Sequence, residues 1–166
     1  MWFKNLRLYR LTSPFEPSAA ELDERMQGNA FRPCGSLEMA SFGWVPPVGT
    51  ASAPRVHAAN GCLMGCGRKE EKVLPAAVVR EEVDFRAAKI EEQELRTVGR
   101  KERGRLRDEV LMDLLPKAFT RSRRIYAYIA PRQGLLVVDT ATATGAEELI
   151  SLLRESLETL PLRPLQ

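Results

Sequence analysis

The stretch Arg124-Ile-Tyr-Ala-Tyr-Ile-Ala-Pro-Arg-Gln-Gly-Leu-Leu-Val-Val138 contains two strands and the turn between them. Apolar residues alternate up to position 130 and place Ile125, Ala127 and Ile129 on one face, which is typical of a strand with one buried face. Residues 131–134 have the composition of a turn. The continuous apolar run 135–138 predicts a second strand that is buried on both faces.

A helix is predicted directly after this pair of strands. Thr144-Gly-Ala-Glu147 is a capping-box pattern, in which the Thr and Glu side chains satisfy free backbone groups of the first turn. Leu149, Ile150, Leu153 and Leu157 then share one helical face, and Pro161 follows the end of the helix. The same pattern at Ser18-Ala-Ala-Glu21 predicts an earlier helix, with Leu22 and Met26 inward and Gly28 at its end.

Strands are predicted in the first half of the chain as well. Residues 2–12 alternate, with Leu6 and Leu8 on one face. Residues 55–59 and 62–68 form two strands around Asn60-Gly61, a favoured two-residue hairpin turn. Between these regions, residues 33–54 are rich in Pro, Gly, Ser and Ala, which predicts an ordered loop with short extended pieces.

The middle of the chain carries more charge than a packed core helix would. Pro75 suits the first turn of a helix, and the helical pattern extends from Ala76 to about Val98. A second helix from about Arg105 to Leu115 is expected, because Gly99 and Gly104 weaken the residues before it. The chain is therefore predicted to be α+β, with a mostly antiparallel sheet and packed helices from residues 1–75 and 117–166, and a charged helical arm from residues 76–116.

Composition limits the compartment and the kind of site. The net charge of this 166-residue chain is only +3, and its three cysteines have no regular spacing. No apolar run approaches the roughly 20 residues needed to span a bilayer. We therefore expect a cytoplasmic protein with reduced thiols and no membrane partner.

The residues that invite an enzymatic interpretation do not support one. The glycine-rich residues 60–69 lack the Ser or Thr that follows the lysine of a phosphate-binding loop, since Glu70 follows Lys69. Cys34, Cys62, Cys66 and the single histidine, His57, do not have the spacing of a common zinc site. No nucleophile motif accompanies His57. The sequence predicts no catalytic residues, no metal site and no cofactor.

Two stretches are strongly basic. The first is interrupted by one acid, Glu102, and the second by none; together they contain Arg96, Arg100, Lys101, Arg103, Arg105, Arg107, Lys117, Arg121, Arg123, Arg124 and Arg132. Such stretches favour binding to a nucleic-acid backbone, which releases counterions and suits the arginine fork. No recognition motif is evident, so little base reading is expected. The alternative is a set of solvated faces in which Glu91, Glu92 and Glu94 pair with the first stretch.

Several motifs keep a common order and spacing with a known family. They are Met1-Trp-Phe-Lys-Asn-Leu6, Ala30-Phe-Arg-Pro-Cys-Gly-Ser36, Met39 to Gly49 with Gly43-Trp-Val-Pro-Pro47, Ala59-Asn-Gly61, Arg68-Lys-Glu-Glu-Lys-Val-Leu-Pro75, Arg107-Asp-Glu-Val-Leu111, Leu114-Leu-Pro-Lys-Ala-Phe119, Gly134-Leu-Leu-Val-Val-Asp139 and Leu152-Leu-Arg-Glu-Ser-Leu157. With these motifs, the chain resembles the bacterial recombination-associated RdgC family over nearly its whole length.

The resemblance implies a function and an assembly. It implies a non-enzymatic protein that binds double-stranded DNA with little sequence preference, as a ring-shaped homodimer whose basic hole encloses the duplex. It also implies association with the nucleoid and direct or indirect opposition to RecA-driven recombination. Phe119 matches a family position that forms an apolar contact between subunits. Family members continue well beyond residue 166, so the chain resembles their N-terminal part.

Two other classes of function remain as alternatives. The chain could be an interaction module that contacts recombination or replication proteins through residues 43–47 and the helical arm. It could instead be an enzyme acting on nucleic acid, although no metal-binding carboxylates have a recognisable arrangement. Binding to phosphates weakens steeply as salt rises, whereas an apolar contact between proteins does not, so salt dependence separates the first alternative from DNA binding.

Overall fold

The structure, a computed structural model, describes residues 3–165. These residues form an α+β fold, as the sequence predicts. In chain order the elements are β1 (Leu6–Leu11), α1 (Ala19–Gln27), β2 (Ala40–Val45), β3 (His57–Ala59), β4 (Cys62–Lys72), α2 (Ala76–Glu94), α3 (Arg100–Leu114), a short 3₁₀ turn (Leu115–Lys117), β5 (Thr120–Ala130), β6 (Leu135–Asp139), α4 (Ala143–Leu157) and β7 (Leu162–Pro164).

The strands of this described part form one seven-stranded sheet. Six strands follow the order β2-β4-β5-β6-β1-β7, and β3 pairs with β4 beside this path. The pairs β1–β6, β1–β7, β3–β4 and β5–β6 are all antiparallel. Val137 of β6 lies between Leu8 of β1 and Tyr128 of β5 in the register. The two strands predicted from residues 124–138 are therefore neighbours in the sheet.

The chain divides into two compact units, and the boundary between them falls within β2, β4 and β5. The sheet unit contains residues 3–32, Phe42–Lys69 and 122–165 of the described chain. The helical unit contains Pro33–Ser41 and Glu70–Arg121, and so includes α2 and α3. Each unit has its own hydrophobic core.

The core of the sheet unit lies between the sheet and the helices α1 and α4. Leu22 and Met26 of α1 and Leu149 and Leu153 of α4 are almost completely buried there. They pack with alternate residues of the strands, which include Leu11, Ile125, Ala127, Ile129, Leu136 and Val138. The inward faces predicted for α1, α4 and β5 are confirmed.

The core of the helical unit is smaller. Val79, Val83 and Ala87 form the buried stripe of α2, and they pack with Leu106 and Val110 of α3. Val98, in the connection between the helices, is also buried in this cluster. The stripe has the spacing predicted from the sequence, and burial of these side chains determines which side of each helix faces solvent.

Two local predictions are confirmed by the backbone. Asn60 and Gly61 have positive φ angles of 52° and 74°, as a two-residue turn between β3 and β4 requires. Ser18 and Glu21 form the capping box of α1: Ser18 Oγ accepts from the Glu21 N–H at 3.2 Å, and Glu21 accepts from the Ser18 N–H at 2.7 Å. The hydrogen bond from the Ser18 backbone is the main reason that the pKa of Glu21 is lowered.

Other boundaries differ from prediction. The predicted strand start at Trp2 lies outside the described residues, and β1 begins at Leu6. Residues 33–54, predicted as a loop with short extended pieces, contain one regular strand, β2. The N-cap of α4 is Thr142, not Thr144; the Thr142 hydroxyl accepts from the Gly145 N–H at 3.1 Å. The strand β7 was not predicted.

The face of β1 that packs inward was not apparent from its alternation. Leu6 and Leu8 share one side, as expected, but they are 55% and 40% exposed. Tyr9 and Leu11, on the other side, pack in the core. Separately, among the helices of residues 3–165, none is long and apolar enough to cross a membrane.

Candidate nucleic-acid interface

The basic side chains of the first stretch are carried mainly by α3. This helix begins at Arg100, five residues earlier than predicted, with Gly99 as its N-cap. Gly104 is therefore inside the helix, at a cost of about 1 kcal/mol relative to Ala. Burial of Leu106 and Val110 offsets that cost and turns Lys101 and Arg105, one helical turn apart, toward solvent.

Two arginines of the first stretch are neutralised within the chain. Arg96 donates to Glu102 at 2.7 and 2.8 Å and also pairs with Glu94. Glu102 is the main cause of the raised pKa of Arg96, and Arg96 in turn lowers the pKa of Glu102. Arg103 pairs with Asp84 of α2. The solvated-face alternative therefore holds in part, since Glu94 does pair with this stretch.

The other basic residues of this segment keep their charge unpaired. In the described chain, no salt bridge reaches Arg100, Lys101, Arg105 or Arg107, and all four are exposed. Lys117, in the 3₁₀ turn after α3, is also exposed and without a salt bridge. These five cations belong to the helical unit, and each can approach a phosphate without breaking an ion pair.

The basic residues of β5 do not form one row. Successive side chains along a strand point to opposite sides, so Arg121 and Arg123 lie on one side and Arg124 on the other. Arg121 of the helical unit pairs with Glu71 at 3.5 Å, and Arg123 of the sheet unit pairs with Glu148 at 3.1 Å. Arg124 has no salt bridge among the described residues.

A basic groove between α2 and α3 includes a residue that the sequence analysis missed. The groove has a volume of about 260 Å³, and its lining contains Arg80, Arg103 and Arg107 together with Ala76, Val79, Val83 and Gly104. Arg80 follows the buried Val79 and stands alone between an apolar and an acidic residue, so it belongs to no basic run. The sequence signal that could have identified Arg80 is its position directly after Val79, which belongs to the buried stripe of α2.

Phe119 is exposed, and other exposed apolar side chains accompany it in the helical unit. The residue is 87% exposed, and its carbonyl accepts from the N–H of Val73 at 2.7 Å. The Lys72 N–H donates to the carbonyl of Met39 at 2.8 Å. Val73, Met39 and Leu37 are 47%, 52% and 53% exposed. We call Leu37, Met39, Val73 and Phe119 the apolar patch.

The cysteines and the histidine occupy ordinary structural positions. The Cys34 thiol contacts the carbonyl of Glu70 at 3.2 Å, and Cys66 is completely buried. His57 is exposed in β3 and pairs with Met64 in the register. In the part of the chain that the structure describes, no three His, Cys, Asp or Glu side chains form a group that could hold a metal ion. The glycine-rich residues 62–69 belong to β4, as predicted.

The fold and the site define an α+β protein whose helical unit carries several exposed basic side chains without salt bridges in the described chain. A family model described as "Putative exonuclease, RdgC" matches residues 1–166. Proteins named "Recombination-associated protein RdgC" are similar: that of Aeromonas hydrophila is 43% identical over 164 residues, which are 99% of this chain and 54% of that protein. The protein of Tolumonas auensis is 44% identical over 164 residues, again 99% of this chain and 54% of that protein. That of Salmonella paratyphi B is 42% identical over 165 residues, again 99% and 54%.

The chain belongs to the RdgC family of recombination-associated proteins, which confirms the resemblance seen in the sequence. It spans about half the length of the curated relatives it matches. The family model's description names an exonuclease, whereas the relatives' names state an association with recombination.

Proposed function

We propose that the chain binds double-stranded DNA without sequence preference and without catalysing a reaction. The observation that carries the proposal is the exposed set Arg100, Lys101, Arg105, Arg107 and Lys117, which no salt bridge of the described chain neutralises. When exposed cations bind a duplex, they release its condensed counterions, and this release favours association. Contacts of this kind position a protein on the backbone and carry no sequence information.

The salt dependence of binding tests this proposal. If about five phosphates are contacted, log K falls against log salt with a slope of roughly −4 to −5. The measurement is fluorescence anisotropy with several labelled duplexes of unrelated sequence, and we expect their Kd values to agree within a few-fold. A flat response to salt, or a strong preference for one duplex, would falsify the proposal.

We further propose that the protein acts as a homodimer that encloses the duplex. The exposed Phe119 and the other exposed side chains of the apolar patch support this proposal, because large exposed apolar areas are typical of interaction surfaces. Enclosure by the whole protein also involves the part of the relatives that this chain does not span.

Opposition to RecA at the nucleoid follows from the same proposal. A protein that covers duplex DNA withholds it from a recombinase filament, so no direct contact with RecA is needed. The test is strand exchange by RecA with the duplex coated first. We expect inhibition that disappears when excess unrelated duplex is added; inhibition that survives this competitor would show that RecA itself is contacted.

A protein-interaction module is the second candidate, and the apolar patch is the observation that favours it. Three residues of the stretch 43–47, the surface named by the sequence-based alternative, are buried: Gly43, Trp44 and Pro47. The apolar patch is more exposed and is the surface we propose for this candidate. Complex formation with a recombination or replication protein that is insensitive to salt, in a chain that does not bind DNA, would favour this candidate.

A further inference from the structure

The groove between α2 and α3 has the chemistry of an anion site. Three arginines, Arg80, Arg103 and Arg107, line it, and the buried Val79 and Val83 contribute its apolar part. All the lining residues belong to the helical unit. A guanidinium presents planar pairs of N–H donors that match two oxygens of a phosphate.

The charge in the groove is incompletely neutralised. Asp84 pairs with Arg103, but within residues 3–165 no salt bridge reaches Arg80 or Arg107. Both side chains are exposed at the mouth of the groove. Two unpaired like charges along one groove repel each other, and a bound anion would relieve that repulsion.

Gly104 also lines the groove. It lies inside α3 between Arg103 and Arg107, where glycine costs about 1 kcal/mol relative to Ala. Packing does not require it, because a Cβ built there would meet nothing within 4 Å. A larger side chain at this lining position therefore tests the groove without disturbing the packing of the helix.

We propose that this groove binds one phosphate group of the DNA backbone, with Arg80 and Arg107 as its ligands. The inference rests on the proposed DNA binding and adds Arg80, which belongs to neither basic stretch. Arg103 stays paired with Asp84 and contributes a wall of the groove. An inorganic phosphate ion has the same chemistry, so the experiment has separate arms for the two sources.

The first arm uses the double variant Arg80→Gln/Arg107→Gln. Loss of one phosphate contact makes the slope of log K against log salt less steep by about 1 and weakens binding to all duplexes alike. The control is Arg10→Gln/Lys89→Gln, which removes the same charge outside the groove from two exposed side chains that no salt bridge of the described chain reaches. We expect the control to keep the wild-type slope; equal slopes for both double variants would overturn the groove site while leaving DNA binding itself intact.

A second variant separates binding from folding. Gly104→Glu places a carboxylate at the mouth of the groove and replaces glycine by a better helix former, so the melting temperature should hold or rise. DNA affinity should nevertheless fall several-fold. Unchanged affinity in this folded variant would contradict the proposal.

The second arm titrates the wild-type chain with inorganic phosphate and follows the arginine Nε–H signals by NMR. Shifts of the Arg80 and Arg107 signals support the anion site even if the chain does not bind duplex DNA, which would overturn the proposed function alone. If neither phosphate nor DNA shifts these signals, the groove is not an anion site.

Discussion

Gly43 is required by a close approach of two backbones. The Phe31 N–H donates to the Trp44 carbonyl at 2.9 Å, and the Trp44 N–H donates to the Asn29 carbonyl at 2.9 Å. A Cβ on Gly43 would lie 2.5 Å from the Cα of Phe31 and 2.6 Å from its nitrogen. Backbone atoms cannot move aside as a flexible side chain can, so any side chain here strains the junction between β2 and residues 29–31.

Gly43→Ala is expected to destabilise the protein by about 1–3 kcal/mol, because overpacking of this size forces a backbone shift. Gly104→Ala is the matched control: it lies in open space inside a helix and should stabilise by about 0.5–1 kcal/mol. The measurement is urea unfolding of both variants. Equal stability of the two would contradict the steric explanation.

Cys66 is expected to be the unreactive cysteine. Burial raises the pKa of its thiol to about 11, against a smaller lowering by the charge of Arg124. At pH 8 the thiol is therefore protonated, and the thiolate is the nucleophile. Alkylation of the native protein followed by mass spectrometry should label the half-buried Cys34 and Cys62 before Cys66.

The same pKa shift has a consequence for stability. The unfolded thiol ionises near its ordinary value of 9.0, whereas the folded thiol ionises near 11. The folded state therefore holds its proton longer, and the contribution of Cys66 to stability is complete below pH 9 and is lost as pH rises toward 11. Rapid labelling of Cys66 in the native protein at pH 8 would show that this burial is wrong.

At the scale of the element, α3 and the residues just before it contain two kinds of basic residue. Lys101 and Arg105 lie on its solvent side and have no salt bridge in the described chain, whereas Arg96, just before the helix, is held by Glu94 and Glu102. An arginine that already has two acidic partners must lose them before it can bind a phosphate. These residues look equivalent in the sequence because they are clustered, but they differ in whether an acid already pairs with them.

Lys101→Gln/Arg105→Gln is expected to make the salt slope of DNA binding less steep by about 2 and to leave the melting temperature nearly unchanged. Arg96→Gln is the control and should alter the slope little, because its charge is already balanced. Anisotropy titrations at several salt concentrations measure both. A larger loss of slope in Arg96→Gln than in the double variant would reverse this assignment.

At the scale of the whole molecule, assembly depends on the apolar patch. A phenylalanine that is 87% exposed contributes little to the fold of a single chain. Burying such a ring against a partner contributes about 1.5–3 kcal/mol, and aromatic residues of this kind often dominate an interface. We therefore expect Phe119 to stabilise the proposed homodimer rather than the fold of the single chain.

Phe119→Ala is expected to keep the wild-type melting temperature and to reduce the dimer mass measured by analytical ultracentrifugation, with faster release of DNA. Phe85→Ala is the matched control, since Phe85 is 65% exposed on α2 and lies outside the apolar patch. Unfolding of the Phe119 variant, or equal dimerisation of both variants, would remove Phe119 from the interface.

Most helices and strands could be predicted from the sequence because the patterns that specify them involve residues close together in the chain. The Asn60-Gly61 turn, the capping box at Ser18 and the alternation in β5 each depend on residues a few positions apart. Strand β2 was predicted only as short extended pieces of a loop, because the reason for Gly43, its close approach to Phe31, lies outside the strand. The inward side of β1 was missed for the same reason: Tyr9 and Leu11 are selected by the helices that cover them.

The sequence by itself determined the α+β class, the positions of the main helices and strands, and the family, because periodicity, turn residues and motif order are properties of neighbouring positions. Only the tertiary structure decided which basic residues keep a free charge. Arg103 is neutralised from 19 positions away and Arg123 from 25 positions away. Arg80 joins Arg107 in one groove only because α2 and α3 pack together. Ion pairs and grooves depend on distances in space, which the order of residues along the chain does not contain.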